Sequence, residues 1–188
     1  MPIGFPFIGV DNKATGRLVA EHLLDRGFQS FAIYDLDVET YFNQRREAFV
    51  EVISEKGYPI CVLQASGHRD RPADWERNQD QLVEWLHSLT KPVGIMACND
   101  QLGFWLLDAC RRADISVPED VAVVGAEDDE TLCEVSIPTM SSVQFNRVLP
   151  ASLHERFSGD GYRGWFHLFG GRPWLDDSVA TFPVRWHV

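Results

Sequence analysis

At 188 residues, 45% of them hydrophobic and 24% charged, the chain can bury a sizeable core, which excludes a disordered or low-complexity protein. The 17 Lys and Arg stand against 28 Asp and Glu, and a formal charge of -11 opposes this segment holding a phosphate backbone; any DNA contact must come from elsewhere. No apolar run reaches transmembrane length, and Met1-Pro2-Ile3-Gly4-Phe5-Pro6 lacks the basic start and apolar stretch of a signal peptide. A cytoplasmic protein without membrane contact is the expectation.

Phe7-Ile8-Gly9-Val10 reads as a strand leading into Asp11-Asn12, and a helix follows from about Ala14 to Arg26, with Leu18, Val19, His22 and Leu23 at helical spacing. Gly27 ends it as a C-terminal cap. Phe31 to Tyr34 is the next strand, Phe42 to Lys56 a helix closed by Gly57, Ile60 to Leu63 a strand, and Trp75 to Leu89 a helix. Val93 to Cys98 is a short apolar run of buried-strand length; Asn99-Asp100 then opens an amphipathic helix, Leu102 to Ala113. A second such run, Val121 to Val124, ends at Gly125 with Glu127-Asp128-Asp129 just behind it.

Strands alternating with helices across short connections predict an α/β fold with a doubly wound parallel sheet, because each parallel strand needs a crossover. Both polar clusters, Asn99-Asp100 and Glu127 to Asp129, then lie at carboxyl ends of strands, where ligands of such folds bind. After Pro138 the pattern weakens. Met140 to Val143 can be a strand, Asn146 to Gly159 is interrupted by Pro150, and Tyr162 to Leu168 suggests a short helix. Ala180 to Trp186 alternates like a strand, with Pro183 suited to an edge.

Each candidate residue carries a plain structural alternative. Asn99 and Asp100 can bond ligand hydroxyls, or one of them caps the helix. Arg45 sits early in a helix, where the dipole disfavours it; a polyol or carboxylate ligand can hold it, or a salt bridge to Glu47 or Asp37. Trp75, at a loop-to-helix junction, can stack on a sugar ring or serve as a hydrophobic staple, while Trp85, Trp105 and Trp165 read as packing. Glu127, Asp128 and Asp129 suggest paired-carboxylate acid/base chemistry, but adjacent acids in a loop more often cap the next turn. The chain has no GxSxG, HExxH, Walker loop or GxGxxG, and its histidines are not spaced as ligands, so no enzyme, catalytic residue, metal or cofactor is expected. Cys61, Cys98 and Cys110 lie among apolar residues, and with Cys133 they read as buried reduced thiols.

An ordered set of motifs adds to this: Val10-Asp11-Asn12 with Gly16 and His22-Leu23-Leu24; Arg26-Gly27-Phe28; Arg45 with Phe49; Ala97-Cys98-Asn99-Asp100; Val117 to Gly125; and Pro138 before Ser141-Ser142-Val143. Across most of residues 7 to 145 it resembles the effector-binding domain of LacI/GalR-type transcription regulators, and more closely the xylose-responsive ones that join such a domain to an AraC-type DNA-binding module. The resemblance implies a type I periplasmic-binding-protein fold, two lobes clasping a sugar, with the second lobe mostly complete and the first mostly missing. It implies a remnant of the first lobe at 1–28, the ligand-binding lobe at 29–145, a return segment at 146–176 and a terminal strand at 177–188. By position, the family's ligand contacts fall on Asp11, Tyr41, Arg45, Trp75, Asn99 and Glu127. Glu127 stands where the family usually has Asp.

The implied function is sensing of xylose or another pentose by part of a bacterial regulator that is a homodimer at full length and binds DNA through a module outside this chain. A periplasmic sugar-binding transport protein is the alternative, and an enzyme using Glu127 to Asp129 a lesser one.

Overall fold

The computed structural model describes residues 8–36, 40–65, 72–145, 180–182 and 184–187. The expected return segment, with the helix at Tyr162 to Leu168, and the residues Asp37, Trp165 and Pro183 lie outside these. In chain order the elements are β1 (Ile8–Val10), α1 (Asn12–Asp25), β2 (Phe31–Leu36), α2 (Thr40–Glu55), β3 (Ile60–Ala65), α3 (Pro72–Ser88), β4 (Val93–Ala97), α4 (Asp100–Arg112), β5 (Val121–Gly125), α5 (Glu130–Val135), β6 (Ser141–Phe145), β7 (Ala180–Phe182) and β8 (Val184–His187). The short helix α5 is absent from the periodicity reading because its six residues are too few to show a period. Gly27 and Gly57, at φ 82° and 77°, close α1 and α2 in the left-handed conformation that glycine adopts without a Cβ clash.

The main sheet has the order β3-β2-β4-β5-β6-β8. Strands β2 to β6 pair in parallel, and β8 adds an antiparallel edge on β6. The predicted doubly wound α/β sheet is therefore present. Its central strands β2 and β4 are buried along their whole length, which explains why they read as continuous apolar runs rather than alternating ones.

Helices cover both faces. Phe31 of β2 meets Phe49 of α2, with ring centroids 6.4 Å apart, whereas Tyr34, on the opposite face, meets Trp85 of α3, also at 6.4 Å. On β4, Gly94 faces Leu23 of α1, and Ala97, on the other face, lies against Gly103 of α4. Helix α1, grouped with first-lobe residues by resemblance, thus packs on α2 and β4. Strand β1 pairs outside the main sheet, in parallel with β7.

The connections run outward from β2 to β3 and then back past β2 to β4. The carboxyl ends of β2 and β4 therefore flank the point where the winding reverses, the place where open α/β sheets bind ligands. One thiol departs from expectation: Cys61 is exposed because β3 is the edge strand, while Cys98, Cys110 and Cys133 are buried, and all four are free. Among the described residues no helix is long and apolar enough to cross a membrane.

The crossing of α1 over α2 depends on Gly16. A Cβ there would strike the backbone carbonyl of Arg45 and press on the Phe49 nitrogen, and backbone cannot rotate away as a side chain can. Gly16→Ala should therefore lower stability by about 1–3 kcal/mol, the usual scale of overpacking, measured as a shift in the urea midpoint at unchanged m-value.

Candidate ligand-binding site

The loop after β5 is built on a carboxylate that sequence reasoning assigned to ligand or cap. Asp100 is fully buried at the first position of α4. Its Oδ1 accepts from the Ala126 N–H at 2.8 Å and the Ser142 hydroxyl at 2.6 Å, and its Oδ2 accepts from the Asp129 N–H at 2.6 Å. The Ser142 hydroxyl, having donated its proton, accepts from the N–H groups of Glu127 at 3.1 Å and Asp128 at 3.0 Å. All four amides from Ala126 to Asp129 are thus satisfied by two side chains. Gly125 admits the arrangement, since a Cβ there would collide with the Asp100 carboxylate.

This loop delivers Glu127 to Arg45. The Arg45 side chain is only 3% exposed, and its three described anchors come from three other parts of the chain. Nε donates to Asn12 Oδ1 at 2.9 Å; Nη1 donates to the Cys98 carbonyl and to Glu127 Oε1, the latter at 3.3 Å. The guanidinium carbon also lies 4.8 Å from the centroid of the Tyr41 ring, one helical turn back. Glu47, one expected alternative, is not among its described partners, whose carboxylate comes from beyond β5; Asp37, the other, lies outside the described residues. Because the Cys98 carbonyl belongs to the end of β4, Arg45 sits at the reversal point of the sheet.

Asn99 follows directly. Its Oδ1 accepts from the Leu102 N–H at 2.9 Å and caps α4, leaving Nδ2 without a hydrogen-bond partner among the described residues. Asp11 has the same double character: Oδ1 caps α1 through the Ala14 N–H at 2.9 Å, and its neighbour Asn12 touches Arg45. The fold therefore gathers Asp11, Tyr41, Arg45, Asn99 and Glu127 at one edge. Trp75 lies apart. Its ring stacks with Arg112, the last residue of α4, at 4.8 Å, and Arg112 also reaches Glu76 at 3.2 Å. Asn99 is at the other end of that helix, roughly 18 Å away by helical rise.

Asn12 and Ser142 were not singled out as candidates, though both stand in motifs visible in the chain. What marks them is only their partners, which are more than 30 and 40 residues distant. The acid/base reading of the carboxylates finds no support in their geometry. Asp129 caps α5 through the Leu132 N–H at 3.1 Å, Asp128, at φ 53°, accepts from Gln144 at 2.8 Å, and Glu127 is ion-paired. Burial pushes the Cys110 and Cys133 thiols up to about 12, so neither is a thiolate nucleophile at neutral pH.

Burial also raises the Glu127 carboxyl above its ordinary 4.5, against the pull of Arg45 and with the nearby Asp100 and Asp129 adding to the rise. From 4.5 up to the raised folded value, the folded chain binds more protons than the unfolded one. Stability from this group is full below 4.5 and is lost as pH rises through the folded pKa. Glu127→Gln should remove that decline from a plot of unfolding free energy against pH. Asp100→Asn should cost ~3 kcal/mol in a urea titration, because an amide cannot accept at both positions and places a donor against N–H groups.

A family model described as a periplasmic binding protein-like domain matches residues 20–149. The xylose operon regulatory protein of Haemophilus influenzae is 36% identical over 143 residues, covering 74% of this chain and 36% of that protein. The protein of the same name from Escherichia coli K12 is 31% identical over 140 residues, covering 73% and 35%. Among solved structures, a xylose-binding transcription activator matches with a TM-score of 0.67 at 30% identity, covering 74% of this chain and 37% of that one. A LacI family transcriptional regulator from Enterococcus faecium with bound ribose has a TM-score of 0.67 at 20% identity, a likeness of fold, covering 96% and 63%. The chain spans about a third of the length of the curated relatives it matches. With the matched region extending over well more than half of its residues, the chain belongs to the periplasmic binding protein-like domain family.

Proposed function

We propose that this chain is a sugar-sensing, effector-binding portion of a bacterial transcription regulator, responding to xylose or another pentose. The observation that carries the reading is the convergence of Arg45, Glu127 and the Asn99 Nδ2 donor at the reversal point of the sheet, in a chain whose relatives are named xylose operon regulatory proteins. Adjacent hydroxyls suit such a set, since a planar guanidinium and an amide each offer donors at sugar spacing, and a carboxylate accepts two hydroxyl protons.

In this reading Asp11, Tyr41, Arg45, Asn99 and Glu127 contact the sugar. Trp75 completes the set as the indole that covers the ring, a role that requires the amino end of α3 to leave Arg112 and cross to this edge when ligand binds. Residues 29–145 form the ligand-binding lobe, with 1–28 as the remnant of the first lobe, 146–176 as the return segment toward it and 177–188 as the terminal strand, whose β8 joins the main sheet. DNA is contacted by a module outside these residues, in keeping with the charge of -11, and the regulator works as a homodimer in the cytoplasm. No catalytic step is part of the proposal; the relatives are named as regulators.

Isothermal titration with a panel of pentoses and hexoses at millimolar concentration tests the reading. Heat with a pentose is expected; none with any sugar overturns it. Asn99→Asp separates binding from folding, because it keeps the capping oxygen while removing the Nδ2 donor. It should weaken sugar binding by about tenfold, the scale of a hydrogen bond left unmade in a buried site. Any fall in the unfolding midpoint from the added charge beside the buried Asp100 is removed in Asn99→Ser, which caps without charge and should weaken binding alike.

A further inference from the structure

We propose that Glu127 makes this site select uncharged polyols and reject sugar acids and sugar phosphates, by taking up the Arg45 charge that an anionic ligand would need. The inference rests on the sugar-binding reading and deepens it to a ligand class.

The first observation is one of hydrogen-bond geometry. An arginine captures a carboxylate or phosphate with two parallel N–H groups from one edge of the guanidinium, and every such edge uses Nε or Nη1 together with a second nitrogen. Here the single Nε hydrogen is donated to Asn12 Oδ1, and the two Nη1 hydrogens go to the Cys98 carbonyl and Glu127 Oε1. Both edges of Arg45 are therefore engaged by the protein. A bidentate anion would have to displace Asn12, or Glu127 and the Cys98 carbonyl, whereas a neutral hydroxyl can donate to the Glu127 carboxylate and leave those contacts in place.

The second observation is one of charge. Among the described residues, Arg45 pairs with Glu127, and the carboxylates of the buried Asp100 and of Asp129 lie near Glu127, with Asp128 on the same loop and Asp11 beside the Asn12 that holds Arg45. The neighbouring cation Arg46 is turned to Asp35 and Asn43, and Arg17 lies on the surface with Glu51. The feature that would favour an anion, the amino end of α4, already carries the Asp100 carboxylate in its first turn, with Asn99 as its cap. An incoming carboxylate therefore meets a site whose charge is net negative and whose guanidinium is already paired.

The test compares xylose with xylonate, which differ in charge and in ring closure, by NMR titration of the chain at low ionic strength, the charge term being isolated by the response of the gap to salt and to Glu127→Gln. The unaltered chain should bind xylose at least about tenfold more tightly than xylonate, with the gap narrowing as salt is added. Glu127→Gln, which removes the charge at a half-exposed position, should close or reverse the gap. Glu127→Asp retains the charge and should retain the preference, which guards against a general effect of altering the loop. Equal binding of both ligands by the unaltered chain, or an unchanged gap in Glu127→Gln, overturns this inference while leaving sugar binding intact. Binding of neither ligand by the unaltered chain overturns the sugar reading and this inference with it.

Discussion

The buried carboxylate of Asp100 is the contact on which the rest of this edge depends. It stands at the first turn of α4, yet it bonds outward, to the loop after β5 and to a hydroxyl at the start of β6, so that the carboxyl ends of β4 and β5 are joined to the beginning of β6 by one side chain. A buried carboxylate with no cation among its described hydrogen-bond partners is tolerable when polar hydrogens surround it, and backbone amides, a hydroxyl and the amino end of a helix provide them here. Remove the carboxylate and four amides lose direct or indirect acceptors together. The reach of Glu127 toward Arg45 is a consequence of this loop being held, not an independent feature.

Arg45 is fixed by the same logic from the opposite side. Its own helix offers it little, since a cation in the first turns of α2 opposes the dipole. Instead it is held from α1, from the end of β4 and from the loop behind β5. Those anchors depend on α1 crossing closely over α2, which the missing side chain of Gly16 permits. A glycine in one helix thus sets the position of a guanidinium in another, and a packing constraint becomes a condition on binding geometry.

Most of the fold was legible in the chain because its two central strands read as short continuous apolar runs and the helices beside them as amphipathic stretches of helical period. Each of the helices from α1 to α4 was recognised, with ends that moved by a few residues. The six-residue α5 escaped notice because it is shorter than two turns, although Asp129 before it has the chemistry of a cap. Cys61 was misplaced indoors because an apolar neighbourhood in sequence does not reveal that a strand lies at the edge of its sheet. At the candidate site, the chain offered Asn99 and Asp100 alike as helix cap or ligand contact; Asn99 is the cap, and Asp100 instead holds the loop after β5.

By itself the sequence determined the α/β class, the alternation that makes the sheet parallel, and the residue types available at the ends of β4 and β5. These follow from local periodicity and from the steric need for crossovers, both of which are written along the chain. Only the tertiary structure decided which polar groups meet. Adjacent Asn99 and Asp100 point to different partners because one faces the helix end and the other the neighbouring strand, and Arg45 finds Glu127 across 82 residues rather than Glu47 two away. Trp75, matched by position to the site, stands at the far end of α4 from Asn99. Such meetings depend on strand order and helix crossing, which no local spacing encodes.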